Sequence, residues 1–245
     1  TSQVSTSSSI SSLTVSFGGT GYANLTNPTV AISSALIERK DPISAWKFDA
    51  ITGITSSIEF RAISKEDPYI AVGKSSFYIN TKSGTFWERG RIGFGGTITF
   101  NGVGVGNSVH SPNVYAMAAG DFASLARAVA IGNSISTWTP IDLKEQRQIP
   151  AIGQVLTVDS TYQGNFQDVI WEGVTNTWVA VGAAGSIFTA VGLTTAEAFS
   201  QYSGTLQTLN AVTFGQSEFI AVGNGGVILA SNDGTGWSPK VSNTV

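Results

Sequence analysis

Two nineteen-residue stretches, YIAVGKSSFYINTKSGTFW at 69–87 and FIAVGNGGVILASNDGTGW at 219–237, align without a gap. Each begins with an aromatic residue, runs through apolar positions to Ala-Val-Gly, turns into a second apolar run and closes on Trp87 or Trp237. The opening recurs as Trp178-Val179-Ala180-Val181-Gly182 and, more diverged, as Ala128-Val129-Ala130-Ile131-Gly132. Gly73, Gly132, Gly182 and Gly223 therefore mark four copies of one unit. Such a unit buries its faces only against neighbouring copies, which restricts the chain to repeat architectures.

Another strand precedes each opening in the form polar, small, apolar: Arg61-Ala62-Ile63, Tyr115-Ala116-Met117, Gln167-Asp168-Val169 and Asn210-Ala211-Val212. Measured at the small residue, the copies are 54, 52 and 43 residues apart, near the length of a four-stranded blade. The unit is too long for one β-solenoid coil and has no helical periodicity. YIAVG and FIAVG are apolar at nearly every position, as strands covered on both faces are. The expected fold class is all-β: a propeller-like array of about four four-stranded antiparallel blades over residues 43–245.

Composition agrees. Only 12% of the 245 residues are charged, while 28 glycines supply turns. A net charge of -3 gives no broad positive surface for phosphates, so nucleic acid is not an expected partner. Apolar runs such as Phe219 to Val222 fall far short of the ~20 residues that span a bilayer, so membrane insertion is not expected either. With no cysteine the chain has no disulfide and no thiolate nucleophile.

Ten of the first fourteen residues are Ser or Thr, so residues 1–12 read as a linker. Residues 13–42 read as a Gly-rich β-hairpin module: LTVSF and TVAISS flank GGTGYANLTNP. This Gly-Gly-x-Gly-Tyr segment followed by Pro-Thr-Val resembles short repeats in tail and fibre proteins of tailed bacteriophages, particularly those of marine cyanobacteria.

Ser231-Asn232-Asp233-Gly234-Thr235-Gly236-Trp237 resembles the Asp-box turn of sialidases, related non-enzymatic propellers and the photosystem II assembly-factor family, and is one residue shorter. The resemblance implies that Asp233 accepts backbone N–H groups, Gly234 takes a positive φ and Trp237 packs between sheets. It also implies a position at the blade periphery, hence a mark of fold and not of activity. In the other copies Ser83 replaces the Asp, Trp138 closes a shortened turn and Phe199 is the expected stand-in for the Trp. The assembly factors have a closed seven-blade ring, for which this chain has too few copies.

A sialidase needs three arginines, a Tyr–Glu pair and an acidic Asp converging on the axis. Of six arginines only Arg61 falls on an expected inner strand, and Arg127 just before one; Arg39, Arg89, Arg91 and Arg147 fall in connections. The single His110 lies in a polar loop, so neither a metal site nor a Ser–His pair is expected. Gly102-Val103-Gly104-Val105-Gly106 has no following helix pattern to make a phosphate loop and reads as a turn or bulge. The mixed-sign clusters Glu38-Arg39-Lys40-Asp41 and Lys144-Glu145-Gln146-Arg147 read as exposed connections. The remaining candidates are Arg61, Tyr115, Gln167 and Asn210, which a radial repeat places in a polar ring at the axis. No catalytic residue, metal or cofactor is expected.

The expected function is that of a non-enzymatic virion component, a rigid interaction or receptor-binding module of a phage tail, fibre or baseplate. Its expected partners are other structural subunits or a host surface glycan, in an oligomeric assembly. A carbohydrate-binding propeller on a bacterial surface and an Asp-box glycosidase are the alternatives.

Overall fold

The computed structural model describes residues 59–241 except 83, 85–86, 94–97, 109–110, 132–133 and 150–153. The linker, the hairpin module, the cluster at Arg39, His110 and Gly132 lie outside the described residues. Blade 1 consists of β1 (Phe60–Ile63), β2 (Tyr69–Gly73), β3 (Phe77–Thr81) and β4 (Glu88–Arg91), paired in that order. Blade 2 consists of β5 (Phe100–Ser108), β6 (Ser111–Gly120) and β7 (Leu125–Ile131). Two short strands, β8 (Ser134–Ile135) and β9 (Thr139–Pro140), share the outer edge of β7.

The chain next forms a hairpin, β10 (Asp142–Ile149) and β11 (Gln154–Asp159), before blade 3. Blade 3 consists of β12 (Phe166–Glu172), β13 (Thr177–Gly182), β14 (Ile187–Val191) and β15 (Glu197–Gln201). Parallel pairing of β10 with β15 makes its sheet six-stranded. Blade 4 consists of β16 (Leu209–Gly215), β17 (Glu218–Gly223), β18 (Ile228–Ser231) and β19 (Ser238–Pro239). The four blades are arranged as a four-bladed propeller.

One geometry is built four times. The glycine ending the second strand pairs with the first residue of the inner strand: Gly73 with Phe60, Gly120 with Phe100, Gly182 with Phe166 and Gly223 with Leu209. A Cβ on any of the four would overlap the inner-strand backbone, which is why each is glycine. The residue after each glycine donates its N–H to the carbonyl just before the inner strand, at 2.9 Å in all four blades: Lys74 to Glu59, Asp121 to Thr99, Ala183 to Asn165 and Asn224 to Thr208. The marker of the second copy is thus Gly120, and Gly132 is not its equivalent. Ala128 to Ile131 lie on the third strand, β7, while the second strand is β6. The step between the first two copies shortens accordingly, and the hairpin β10–β11 lengthens the next.

Gly102 to Gly106, expected as a turn or bulge, lie within the inner strand β5. Period-2 alternation turns the valines one way and the glycines the other. Val103 and Val105 pack with Ile70 and Val72 of blade 1. Gly102 and Gly104 lie so close to β12 that a Cβ would stand 2.5 Å from Asp168 Cα and 2.9 Å from the Val169 carbonyl oxygen, respectively. The alternation of glycine with valine is therefore a contact surface between blades.

The core consists of three such interfaces. Ile70, Val72 and Tyr78 meet Phe100, Ala116 and Trp138 between blades 1 and 2. Met117, Ala119 and Leu125 meet Phe166, Trp178 and Phe188 between blades 2 and 3. Val179, Val181 and Ile187 meet Leu209, Phe219 and Trp237 between blades 3 and 4. Each fully buried aliphatic or Phe side chain contributes about 1.5–3 kcal/mol. Gly104 and Gly106 of β5 let blades 2 and 3 close on Trp178, whose ring an added Cβ there would approach to 3.1 and 2.9 Å.

Candidate functional site

The inner strands β1, β5, β12 and β16 converge on a cavity of about 120 Å³, lined by residues from every blade, including Ile63, Lys65, Val105, Asp168 and Val212. Ligand pockets begin near ~300 Å³, so the space accommodates waters better than a substrate. Its buried carboxylate is fully engaged. Asp168 Oδ1 accepts the N–H of Val169 at 2.9 Å, and Oδ2 accepts the N–H of Val212 from blade 4 at 3.0 Å. Burial pushes the Asp168 carboxyl up, while the two backbone donors and Lys65 oppose that shift. The result is a strut between two blades.

Of the four predicted ring residues, Arg61, Gln167 and Asn210 occupy equivalent places, each at the irregularity two residues into its inner strand. Tyr115 does not join them: it lies on β6, buried in the interface with blade 3. The fourth equivalent is Asn101 on β5. It was missed because the second copy was placed one strand too late.

These positions clip turns. Asn101 Nδ2 donates to Asp121 Oδ1 at 3.0 Å and to the Phe166 carbonyl at 2.9 Å. Asn210 Nδ2 donates to Asn224 Oδ1 at 2.8 Å. Arg61 pairs with Glu59 at 2.6 Å, and Lys74 pairs with the same carboxylate. The hydrogen bond from Lys74, with Arg61 adding to it, holds the Glu59 carboxyl below its ordinary value. Lys74, Asp121 and Asn224 are the first residues of equivalent hairpin turns, whose next two residues take positive φ in every blade: Ser75 and Ser76, Phe122 and Ala123, Ala184 and Gly185, Gly225 and Gly226. In blades 1, 2 and 4 the polar side chain is tied to its turn, directly or, for Arg61, through Glu59, whereas the blade 3 turn opens on Ala183.

The remaining arginines sit on sheets, not in connections: Arg89 and Arg91 on the outer strand β4, Arg127 on β7, and Arg147 on β10. Lys144 to Arg147, expected in an exposed connection, belong to β10, and Lys144 bonds Asp159 at 2.7 Å. Among the described residues no three His, Asp or Glu side chains gather as a metal site, and no helix is long and apolar enough to cross a membrane.

At the edge of blade 4, Asp233 Oδ1 accepts the N–H groups of Thr235 at 2.8 Å and Gly236 at 3.2 Å, and Oδ2 accepts the Thr235 hydroxyl at 2.8 Å. These bonds hold its carboxyl at about 2. Gly234 has φ +81°, and Trp237 Nε1 donates to its carbonyl at 2.9 Å. In blade 3 the buried outer-strand residue is Ala198, while Phe199, opposite Thr189, points to the other face. Phe199 is thus not the counterpart of Trp237.

No protein-family model matches the sequence, and no curated protein does. The fold is shared with solved propellers. A structure of "YCF48 bound to D1 peptide" aligns with 78% of this chain and 55% of its own, at 15% identity and a TM-score of 0.51. YCF48 from Cyanidioschyzon merolae aligns with 78% and 58%, at 16% identity and a TM-score of 0.49. The WD40 propeller domain of Doa1 aligns with 75% and 67%, at 11% identity and a TM-score of 0.35. The chain therefore spans less than two thirds of either YCF48 chain, and the likeness concerns fold.

Proposed function

We propose that the chain is a non-enzymatic protein-interaction module, a structural or adhesion component of a phage tail, fibre or baseplate carried on the virion. The commitment of the axial polar groups carries this reading. Asp168 joins two blades and Asn101 and Asn210 clip turns, so the positions where propeller enzymes and lectins hold ligands maintain rigidity here. The Gly-rich segment at 13–34, with its resemblance to tail and fibre repeats, supports the virion setting. A protein partner also accords with the peptide named for the YCF48 structure.

Native mass spectrometry of the purified chain, paired with hydrolysis assays on sialosides and other glycosides, tests the reading. A discrete oligomer without turnover is expected. Turnover abolished by Arg61→Ala overturns it.

A further inference from the structure

We infer that the cleft between the β10–β11 hairpin and the edge of β15 binds an extended, uncharged peptide segment of a partner protein. The inference rests on the interaction-module reading and locates it. Among the described residues blade 3 alone carries two strands beyond the repeat, and Glu145 of β10 together with Ser160 to Tyr162, which follow β11, forms one wall of this cleft. It has a volume of about 370 Å³ and lies among Glu145, Tyr162, Phe188, Gln201, Tyr202 and Leu206.

The cleft exists because the parallel ladder stops early. Pairing between β10 and β15 ends at Lys144 opposite Phe199, after which β10 continues with β11 while β15 runs on to Gln201. In a parallel ladder the next groups in phase on β15 are the Ser200 carbonyl and the Tyr202 N–H. A peptide entering where β10 departs extends a ladder already present, by strand addition at a sheet edge.

The side chains favour a peptide over a sugar. Reading sugar hydroxyls takes free planar polar groups, and here they are engaged. Glu145 Oε1 accepts from the Ser160 hydroxyl at 2.9 Å and the Thr161 N–H at 3.2 Å. Gln201 Nε2 donates to Thr189 Oγ1 at 2.6 Å and the Phe199 carbonyl at 3.1 Å, and the Tyr162 hydroxyl donates to the Asn165 carbonyl at 3.0 Å. Apolar surface is what stands open: Tyr202 is 87% and Leu206 86% exposed at the rim. Two such side chains together mark a contact surface for an apolar residue.

A random dodecapeptide display library selected on the full chain supplies the probe, with affinities measured by fluorescence anisotropy. Selected peptides are expected to alternate apolar with uncharged residues and to lose at least ~10-fold in affinity on Tyr202→Ala with Leu206→Ser. Affinity is expected to be unchanged on Val174→Ser, a control at a distant 91% exposed position. Both variants replace exposed side chains, so the fold is retained. Selected peptides that bind wild type and the double variant alike overturn the cleft and leave the interaction-module reading standing. Failure to select any peptide, or glycan-array binding lost on Tyr202→Ala, also overturns it. The interaction-module reading itself falls only to the hydrolysis result above.

Discussion

Asp168 on the inner strand of blade 3 accepts the backbone N–H of Val212 on the inner strand of blade 4, at 3.0 Å. Asp168→Ala leaves that amide without its partner beside the axis, at a cost of about 1–3 kcal/mol. Burial raises the folded-state pKa above the ordinary 3.8. The group's stabilising contribution is therefore greatest below pH 3.8 and declines as pH rises through the folded value. Asp168→Asn removes the titration. Urea unfolding across this range is expected to show the stability of wild type, relative to Asp168→Asn, falling with pH; a constant difference contradicts the strut's electrostatics.

The glycine face of β5 yields a second expectation. At Gly102 and Gly104 an added Cβ meets β12 backbone, which no rotamer change relieves. Gly102→Ala and Gly104→Ala are each expected to cost about 1–3 kcal/mol by overpacking. Gly215→Ala, where nothing lies within 4 Å, serves as a control and is expected to change stability by less than ~0.5 kcal/mol. Equal effects at the three positions refute the close-packed interface.

The architecture was legible where blades keep both an aromatic opening and a distinct turn, as around Gly73, Gly182 and Gly223. It was misread in blade 2, where the end of β6, Ala116 to Gly120, is small apart from Met117 and has Ala116 at the place of the opening aromatic. Its inner strand alternates Gly with Val, a pattern shared by turns and close-packed strands, and only the facing blade distinguishes them. The hairpin β10–β11 carries no repeat signal. Its charges fit a connection as well as a strand, because local pattern does not record that β10 pairs with a strand more than 50 residues later. The polar ring was visible as a period, whereas its use in clipping turns depends on tertiary partners.

The repeat's phase also ranks three equivalent valines. Val72 and Val181, one residue before Gly73 and Gly182, are fully buried against the following blade. Val222, one residue before Gly223, is 40% exposed, so FIAVG is covered on one face only, contrary to the expectation from its sequence. Val72→Ser and Val181→Ser are expected to cost about 2–4 kcal/mol, from lost apolar burial and a buried hydroxyl. For Val222→Ser the expected cost is below ~1 kcal/mol. Thermal unfolding of the three variants checks the order, and a cost at Val222 matching the other two contradicts the open face.

The turn at Asp233 differs from the Asp168 strut in the sign of its pH dependence. Backbone and hydroxyl donors depress its carboxyl from 3.8 to about 2, so its contribution is present above pH 3.8 and is lost as pH falls toward 2. The side chain is exposed, so solvent screening limits the contribution to about 0.5–1 kcal/mol. Asp233→Ala is expected to destabilise by this amount at neutral pH and by much less near pH 2, where the wild-type carboxyl is itself half protonated. Because Trp237 donates to the Gly234 carbonyl within the same turn, its indole N–H resonance is expected to shift in Asp233→Ala at pH 7. An unchanged resonance shows that Asp233 does not hold Trp237 in its place between blades 3 and 4, and a stability difference as large at pH 2 as at pH 7 shows that the ionised carboxylate does not hold the turn.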